Sequence, residues 1–423
     1  MSYVPITKVQ YRPDWNAPYG VTCVDFDFSP EHDLFRKTVR EFCDKTLAPQ
    51  AREMERRASM PDSVITGLAK MGLFGLSIPP QFGGSGADAI SAGIAGEEIG
   101  RGDLSCSTAV LYLVPVAWSH VLNKFGSDGL KKKVLPKVAA GRSFLGIGAT
   151  EPGVGSDLAN MSTTAKREGT EYVLNGEKMY ISGIKEAKEQ MPESGGYLVL
   201  ARTGPPAEHK MSFFYVPIQS NGISTTLIEE MGRRGMSSGG FVMKDVRIPA
   251  ENIVGDENKG FYYAMEGFDY ARGIIAAVCC GAANAALEAG MDYIKQRKVF
   301  NQPIARYEGI QFKLAEDYAR VDAVRLLAYR GLWLFDRSQY DSKVSRFMVS
   351  KAMAEAKMLA PVVAFETIND ALQWFGAYGY TLDCPLEMGL RGVRSYMLAE
   401  GSTEIMKIIV ARELLGKEYV AYR

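Results

Sequence analysis

Apolar residues recur at helical spacing from about residue 26 to residue 145 of the chain. This region opens with SPEHDLFRKTVREF, in which Ser29 is a candidate N-cap and Pro30 suits the first helical position. Phe35 and Val39 lie four residues apart and mark one apolar face. The pattern predicts a helical N-terminal domain.

Between residues 146 and 256 the pattern changes to short alternating runs separated by Gly, Asn and Pro. The runs that predict strands are EYVLNGEKMYIS, GYLVLART, MSFFYVPI, GISTTLI and GGFVMKDVRIP. Within the first of them, Asn175-Gly176 is typical of a tight hairpin turn. This part of the chain is therefore predicted to be a central β domain.

Helical spacing returns at residue 257 and continues to residue 423, whereas residues 1–25 carry no period. We interpret residues 1–25 as an extended arm. The chain is thus predicted to be a multidomain α+β protein with the domains 26–145, 146–256 and 257–423.

Composition is that of a soluble globular protein and favours neither a nucleic-acid-binding nor a membrane protein. The 423 residues favour two or three domains, and a formal net charge of zero gives no attraction to nucleic acid or an anionic membrane surface. We expect no apolar run that spans a bilayer, and the N-terminus lacks the apolar core of a signal peptide. Six cysteines without CxxC spacing predict neither a zinc site nor a disulfide framework, so a cytoplasmic location is expected.

The three histidines, His32, His120 and His209, lie in no recognisable catalytic motif. If the chain performs acid–base chemistry, a carboxylate is the expected proton acceptor. Glu400 is a candidate, because it lies in a loop of small residues directly before a helix. Ser402 can cap that helix with Glu404 in its first turn, and this structural interpretation does not exclude the catalytic one.

Two motifs of the β domain suit a ligand, although each also has an ordinary structural explanation. The loop GATEPGVGSDLANM, 148–161, offers backbone N–H groups and hydroxyls to a phosphate or a polar ring edge, or is a surface turn. It is not a dinucleotide-binding GxGxxG motif. Tyr180 and Ser182 lie two apart on a predicted strand, so they share a face that can cover a flat ring or pack ordinarily.

Two motifs of the C-terminal region are similarly open. Arg297 and Lys298, in QRKVFNQPI, can reach a phosphate or form a solvated helix end. Gly376 and Gly379 allow close backbone approach or simply end a helix.

Taken together, the motifs resemble the acyl-CoA dehydrogenase family from about residue 26 to residue 416. The ordered blocks that carry the resemblance are IPPQFGGSG, EEIGRGD, TEPGVGSD, LNGEKMYIS, KDVRIPAENIVG, FDYARG, RKVFNQPI, GAYGY and AEGSTEI. The resemblance implies an all-α N-terminal domain, a central β-barrel or sandwich-like domain, and a C-terminal four-helix bundle. It also implies FAD as cofactor and an acyl-CoA as substrate.

The resemblance implies that FAD lies between the β domain and the C-terminal helices. The residues that it places at FAD are Ile147, Ala149, Thr150, Gly155, Ser156, Tyr180, Ile181, Ser182, Arg297, Phe300, Gln373, Gly376, Ala377, Ser402 and Glu404. Arg297 and the segment 373–377 usually serve the FAD of a neighbouring subunit, which implies a dimer or, more often, a homotetramer built as a dimer of dimers.

In this family pattern Glu400 matches the catalytic base, which removes the α-proton while hydride leaves the β-carbon for the flavin. Water exclusion and the apolar thioester should raise the pKa of this carboxyl toward neutrality. The other base position of the family is Ala271 here, so Glu400 is the only candidate. The implied substrate contacts are Ser156, Asp269, Arg272, Ala399 and Gly401. Electrons are expected to pass to an electron-transferring flavoprotein, and no metal is expected.

Several positions depart from the common pattern of the family. Tyr180 replaces a flavin-covering Trp, Ser182 replaces Thr, and Asn301 replaces Gly. Arg394 stands where Lys is common, and the segment 185–196 is longer than usual.

Two features bear on the acyl group. Ala399 precedes the base where straight-chain enzymes often have Tyr, which predicts room for a branched, alicyclic or otherwise bulky acyl group. The predicted pocket helix, 103–118, contains no Arg or Lys, so a dicarboxylic substrate is disfavoured. An oxidase or another flavoenzyme on the same fold, and a catalytically silent CoA-binding module, remain alternative functions.

Overall fold

A computed structural model describes residues 27–191, 193 and 195–421 of the chain. The predicted arm, residues 1–25, lies outside the described residues. In the rest, helices precede and follow a β-sheet, so the predicted order helical, β, helical is confirmed. The domain boundaries at 145 and 256 stay predictions.

The N-terminal domain consists of six α-helices. They are α1 (Pro30–Phe42), α2 (Ala48–Arg57), α3 (Asp62–Lys70), α4 (Ala89–Gly102), α5 (Ser107–Phe125) and α6 (Asp128–Ala139). Ser29 caps α1 by accepting a hydrogen bond from the His32 amide at 3.2 Å, and Pro30 follows at the first helical position, as predicted. Almost every residue of α5 is buried, so this helix forms the centre of the domain.

The central domain is a curled seven-stranded sheet. Its strands are β1 (Leu145–Gly148), β2 (Thr164–Glu168), β3 (Glu171–Ser182), β4 (Gly196–Arg202), β5 (Met211–Pro217), β6 (Ile223–Ile228) and β7 (Ser238–Pro249). They follow the order β1-β4-β2-β3-β7-β6, and β5 pairs with β4. The five runs predicted as strands are all strands.

The hairpin predicted at Asn175-Gly176 is wrong. Both residues lie inside β3, and the turn between β2 and β3 is at 169–170. Gly176 instead serves a register shift against β7, where its φ is 146°. A Cβ on Gly176 would lie 2.7 Å from Thr163 Cα, so the glycine permits a close approach of two backbones.

The C-terminal domain is built around three long helices. Its elements are α7 (Gly260–Gln296), β8 (Lys298–Val299), β9 (Gln302–Pro303), α8 (Glu308–Arg337), α9 (Arg346–Trp374), α10 (Leu386–Tyr396) and α11 (Thr403–Leu415). Helices α7, α8, α9 and α11 form the predicted bundle, and α7 also packs on α4 and α5. One continuous core therefore joins the two helical domains.

The expectation that no apolar run is long enough to span a bilayer is wrong for helix α7. Among the described helices, it alone is long and apolar enough by length and composition. Most of its apolar stretch is buried against α4, α5 and α9, which is the position of a core helix.

Candidate functional site

A cavity of about 1000 Å³ lies between the β domain and the C-terminal helices. Its walls come from the ends of β1 and β3, the loop after β6, and helices α5, α7, α9, α10 and α11. The loop 397–402, which joins α10 to α11, closes one side.

Most of the residues predicted to bind cofactor or substrate line this one cavity. They are Ile147, Ala149, Thr150, Gly155, Ser156, Tyr180, Ile181, Ser182, Asp269, Arg272, Ala399, Glu400, Gly401 and Ser402. They come from four distant parts of the sequence, so the fold brings the motifs together.

The other predicted cofactor residues lie outside the cavity, on the surface of the described chain. They are Arg297, Phe300, Gln373, Gly376, Ala377 and Glu404. Their predicted contact with FAD, for most of them that of a neighbouring subunit, stays a prediction.

A buried ion pair supports the loop that follows β1. Lys178 Nζ donates to Ala149 O at 3.1 Å and lies 3.0 Å from Glu151 Oε1. The Glu151 carboxylate also accepts hydrogen bonds from the backbone amides of Ser162, at 2.6 Å, and Thr163, at 2.9 Å. The Lys178 side chain is 0 % exposed, and burial lowers its pKa to about 8 against the opposing effect of Glu151. This pair fixes Ala149 and Glu151 at the start of the cavity-lining loop.

The end of β3 departs from simple alternation. Tyr180 has a φ of 59°, in the left-handed region, at a register shift between Met179 and Ile181 relative to β7. As a result Tyr180, Ile181 and Ser182 all line the cavity. Tyr180 is 66 % exposed and lines the cavity, so its aromatic ring is accessible from the cavity.

The loop that carries Glu400 is short and has an unusual backbone. Glu400 has a φ of 56° and Gly401 a φ of 89°, two successive residues in the left-handed region. Ser402 caps α11 by accepting from the Ile405 amide, so the predicted cap is confirmed. Left-handed geometry is unfavourable for a residue with a Cβ, so surrounding contacts must hold Glu400.

Two cations hold the carbonyl groups of this loop. Arg272 Nε donates to Glu400 O at 3.0 Å, and Lys357 Nζ donates to Gly401 O. Arg272 is itself oriented by Asp269, whose Oδ1 lies 2.7 Å from Nη1 and whose Oδ2 accepts from Ser350 Oγ. The loop is therefore connected to both α7 and α9.

Burial raises the pKa of Glu400 to about 7, while the charges of Arg272, Lys357 and Arg233 oppose the rise. The direction is the one predicted for a carboxyl beside an apolar substrate. Glu400 Oε2 is buried and has no hydrogen-bond partner among the described residues. A carboxyl with this pKa and a free oxygen at a cavity can accept a proton near neutral pH.

The part of the cavity wall that comes from α5 is apolar, whereas arginines from other segments also line the cavity. Val110, Leu113 and Val114 of α5 line the cavity without any charged group from that helix. Arg233, Arg391 and Arg394 also line it. Arg233 is paired with Glu230, and Arg391 is paired with Glu55 and Glu387.

Sequence reasoning missed Lys357 and Arg233. Lys357 occupies the buried face of α9, four residues after Met353 and four before Pro361. A lone lysine in phase with an apolar helical face is a signal that could have identified it. Arg233 comes from a loop whose position depends on the tertiary structure, and no local pattern marks it.

Comparison with known proteins agrees with these features. Family models described as acyl-CoA dehydrogenase N-terminal, middle and C-terminal domains match residues 29–142, 146–246 and 258–415. A probable acyl-CoA dehydrogenase of Bacillus subtilis is 34% identical over 93% of this chain and 100% of the relative. A cyclohexane-1-carbonyl-CoA dehydrogenase of Geobacter metallireducens is 32% identical over 92% of this chain and 99% of the relative.

The solved structure of a glutaryl-CoA dehydrogenase from Mycobacterium smegmatis in complex with FADH2 has a similar fold. The TM-score is 0.84 at 25% sequence identity, over 94% of this chain and 97% of that chain.

Proposed function

This chain belongs to the acyl-CoA dehydrogenase family, and we propose that it removes the α and β hydrogens of a branched or cyclic acyl-CoA. It is an oxidoreductase acting on acyl-CoA, and FAD is its cofactor. The observation that carries the proposed dehydrogenation is Glu400 Oε2, which is buried at the cavity and has no hydrogen-bond partner among the described residues.

The cavity has features that fit FAD. The exposed ring of Tyr180 offers an aromatic face to a flat ring system. A Cβ on Gly155 would have no atom of the described residues within 4 Å, so the loop after β1 leaves open space beside Ser156. Ile147, Ala149, Ser156 and Ser182 would hold the cofactor here. When bound, FAD supplies the acceptor for the hydride that leaves the β-carbon of the substrate.

The protein's own part in the reaction is to take the α-proton and to orient the thioester. Glu400 Oε2 accepts the α-proton, which its raised pKa makes effective near neutrality. Arg272 holds the Glu400 carbonyl, so it fixes the backbone on which the base is carried. The apolar side chains of Val110, Leu113 and Val114 exclude water from the acyl group.

The rate of flavin reduction by an acyl-CoA should fall below about pH 7 and reach a plateau above it. The carboxylate of Glu400 is the active form, so lowering the pH through its pKa protonates the base and slows the step by about tenfold per pH unit. Anaerobic stopped-flow measurements at saturating substrate over a pH series test this. A rate that rises as the pH falls would contradict the role of Glu400.

The substitution Ala399→Tyr should reduce activity on branched or cyclic acyl-CoAs by roughly 10-fold or more and change activity on straight chains little. Ala399 lines the cavity next to the base, so a large ring there removes space around the reacting carbons. The measurement is kcat/KM for a pair of thioesters, one cyclic and one straight, of equal carbon number. Equal losses on both substrates would refute the proposed selectivity.

The proposed substrate carries no distal carboxylate, because α5 offers no cation to the cavity. Arg394 is a cavity-lining cation from another element, so a dicarboxylic thioester belongs in the substrate panel as a direct comparison. Flavin reduction only by that thioester would overturn this part of the proposal.

The assembly that we propose is a homotetramer, in which Arg297 and the segment 373–377 contact the FAD of a neighbouring subunit. Large apolar residues near Arg297 and the segment 373–377 in the sequence are exposed to solvent. The exposed fraction is 88 % for Phe300, 97 % for Tyr380 and 80 % for Leu382. Such exposure is typical of a surface that is covered in an oligomer. Light scattering of the holoenzyme measures the subunit number, and a monomer would contradict the proposal.

We propose a cytoplasmic location and an electron-transferring flavoprotein as electron acceptor. The alternative of an oxidase on the same fold predicts rapid reoxidation of the reduced enzyme in air, and the proposed dehydrogenase predicts slow reoxidation. A colourless protein with an intact fold would instead indicate the silent CoA-binding module.

A further inference from the structure

Lys357 is a fully buried lysine at the centre of α9, with 0 % of its surface exposed. Its Nζ donates to the carbonyl of Gly401, the residue after the base. Among the residues that the structure describes, no carboxylate forms an ion pair with it. A buried ammonium without a paired carboxylate is unfavourable, so its presence on this helix needs an explanation.

The backbone of the loop 397–402, which carries the base Glu400, supplies this explanation. Glu400 and Gly401 are both left-handed, and their carbonyls are held by Arg272 from α7 and by Lys357 from α9. Because a peptide group is planar, fixing a carbonyl also fixes the direction of the N–H on its other side. Two successive peptide groups of the loop are therefore oriented by two cations on different helices.

The side chains of Met406 and Arg272 pack beside Gly401. A Cβ there would lie 2.8 Å from Met406 Cε and 3.4 Å from Arg272 Nη2. With the carbonyls directed toward the cations, the Glu400 side chain lines the cavity. Loss of either cation frees one peptide group of a segment whose left-handed geometry is unfavourable for Glu400.

On the basis of the proposed function, we propose that Lys357 is a positioning residue for the reaction: it holds Gly401 so that the Glu400 carboxylate is directed at the substrate. Lys357 acts through the loop and does not itself contact the reacting atoms. Its charge has a second effect, because it also favours the ionised form of Glu400. The charged groups that act on Glu400 are Arg272 on α7, Lys357 on α9 and Arg233 after β6.

Three variants of the FAD-bound enzyme separate these effects. Lys357→Met removes both donor and charge, Lys357→Gln keeps an N–H donor without the charge, and Lys357→Arg keeps both. Lys351→Met is the matched control: it makes the same substitution on the same helix, at a lysine that contacts Glu355 and not the loop. Rates of anaerobic flavin reduction at saturating acyl-CoA, their pH dependence, FAD content and substrate affinity are measured for each.

The expected result for Lys357→Met is a rate lower by on the order of 100-fold, with FAD content and substrate affinity close to those of the unaltered enzyme. The pH midpoint of the rate should move upward in Lys357→Met and Lys357→Gln and return in Lys357→Arg. Lys351→Met should change neither rate nor midpoint. If Lys357→Met is no slower than Lys351→Met, the positioning role is refuted. If it is slower but its midpoint does not move, the effect of the Lys357 charge on Glu400 is refuted, and the exchange measurement below decides the positioning.

A measurement without substrate keeps this proposal separate from the proposed function. Amide hydrogen exchange of the segment 397–405 should be faster in Lys357→Met than in Lys351→Met, and nearly unchanged in Lys357→Gln, which keeps the donor. Equal exchange in all variants would overturn the proposal even if every acyl-CoA reduces the flavin. An enzyme that no acyl-CoA reduces, but whose loop loosens in Lys357→Met, would overturn the function and support the positioning. If Lys357→Met does not fold, Lys357→Ala, which also lacks the donor, replaces it in both measurements, and exchange equal to that of Lys351→Met would overturn the proposal.

Discussion

Replacing Glu400 by Gln should slow flavin reduction by an acyl-CoA roughly 10²- to 10⁴-fold while FAD stays bound. The amide has nearly the same shape as the carboxyl but cannot accept a proton at neutral pH. The Glu400 side chain lines the cavity and its Oε2 has no hydrogen-bond partner among the described residues, so the substitution breaks no side-chain contact at that atom. Stopped-flow absorbance of the flavin band measures the rate.

Glu251→Gln is the control for this experiment. Glu251 is exposed in the short turn that follows β7 and does not line the cavity. Its substitution should leave the rate within about twofold. Equal rates for Glu400→Gln and the unaltered enzyme would exclude Glu400 as the base.

Replacing Lys178 by Met should destabilise the protein by about 3–5 kcal/mol and reduce its FAD content. The Glu151 carboxylate, 5 % exposed, would lose its buried cation, and the carbonyl of Ala149 would lose a donor. The loop from Ala149 to Ser156 would then lose the contacts that fix it beside the cavity. Thermal unfolding of the apoprotein and the flavin-to-protein absorbance ratio of the purified enzyme are the measurements.

Lys166→Met provides the comparison on the neighbouring strand β2. The Lys166 side chain is 82 % exposed and pairs with Glu168 at 3.7 Å, so its loss should change the free energy of unfolding by no more than about 0.5 kcal/mol. If Lys178→Met unfolds at the same temperature as Lys166→Met and retains full FAD, the ion pair of Lys178 and Glu151 does not support the loop from Ala149 to Ser156.

The secondary structure could be predicted where the pattern of apolar residues is local. Alternation in EYVLNGEKMYIS predicts β3 from Glu171 to Ser182, and the cap at Ser29 follows from its neighbours. The hairpin turn predicted at Asn175-Gly176 was wrong, because the turn preference of these residues is overridden by pairing with β7 and by the close approach of Thr163. The length and hydropathy of α7 likewise reflect burial between helices, which a composition measure cannot distinguish from a membrane span.

The candidate site was predictable as far as its residues lie in sequence motifs. Thr150, Tyr180, Arg272 and Glu400 belong to such motifs, and the fold brings them to one cavity. Lys357 was not predictable in this way, because its role depends on a contact with Gly401, 44 residues away on another element. The left-handed backbone conformation of Glu400 could not be predicted either, since nothing in the residue type requires it.

The most direct test of the central claim is an anaerobic titration of the yellow holoenzyme with straight, branched, cyclic and dicarboxylic acyl-CoAs. We predict that a branched or cyclic thioester bleaches the flavin absorbance, and that the bleaching is at least about 100-fold slower in Glu400→Gln. A yellow protein that no thioester bleaches would contradict the assignment of Glu400 as the base of an acyl-CoA dehydrogenase.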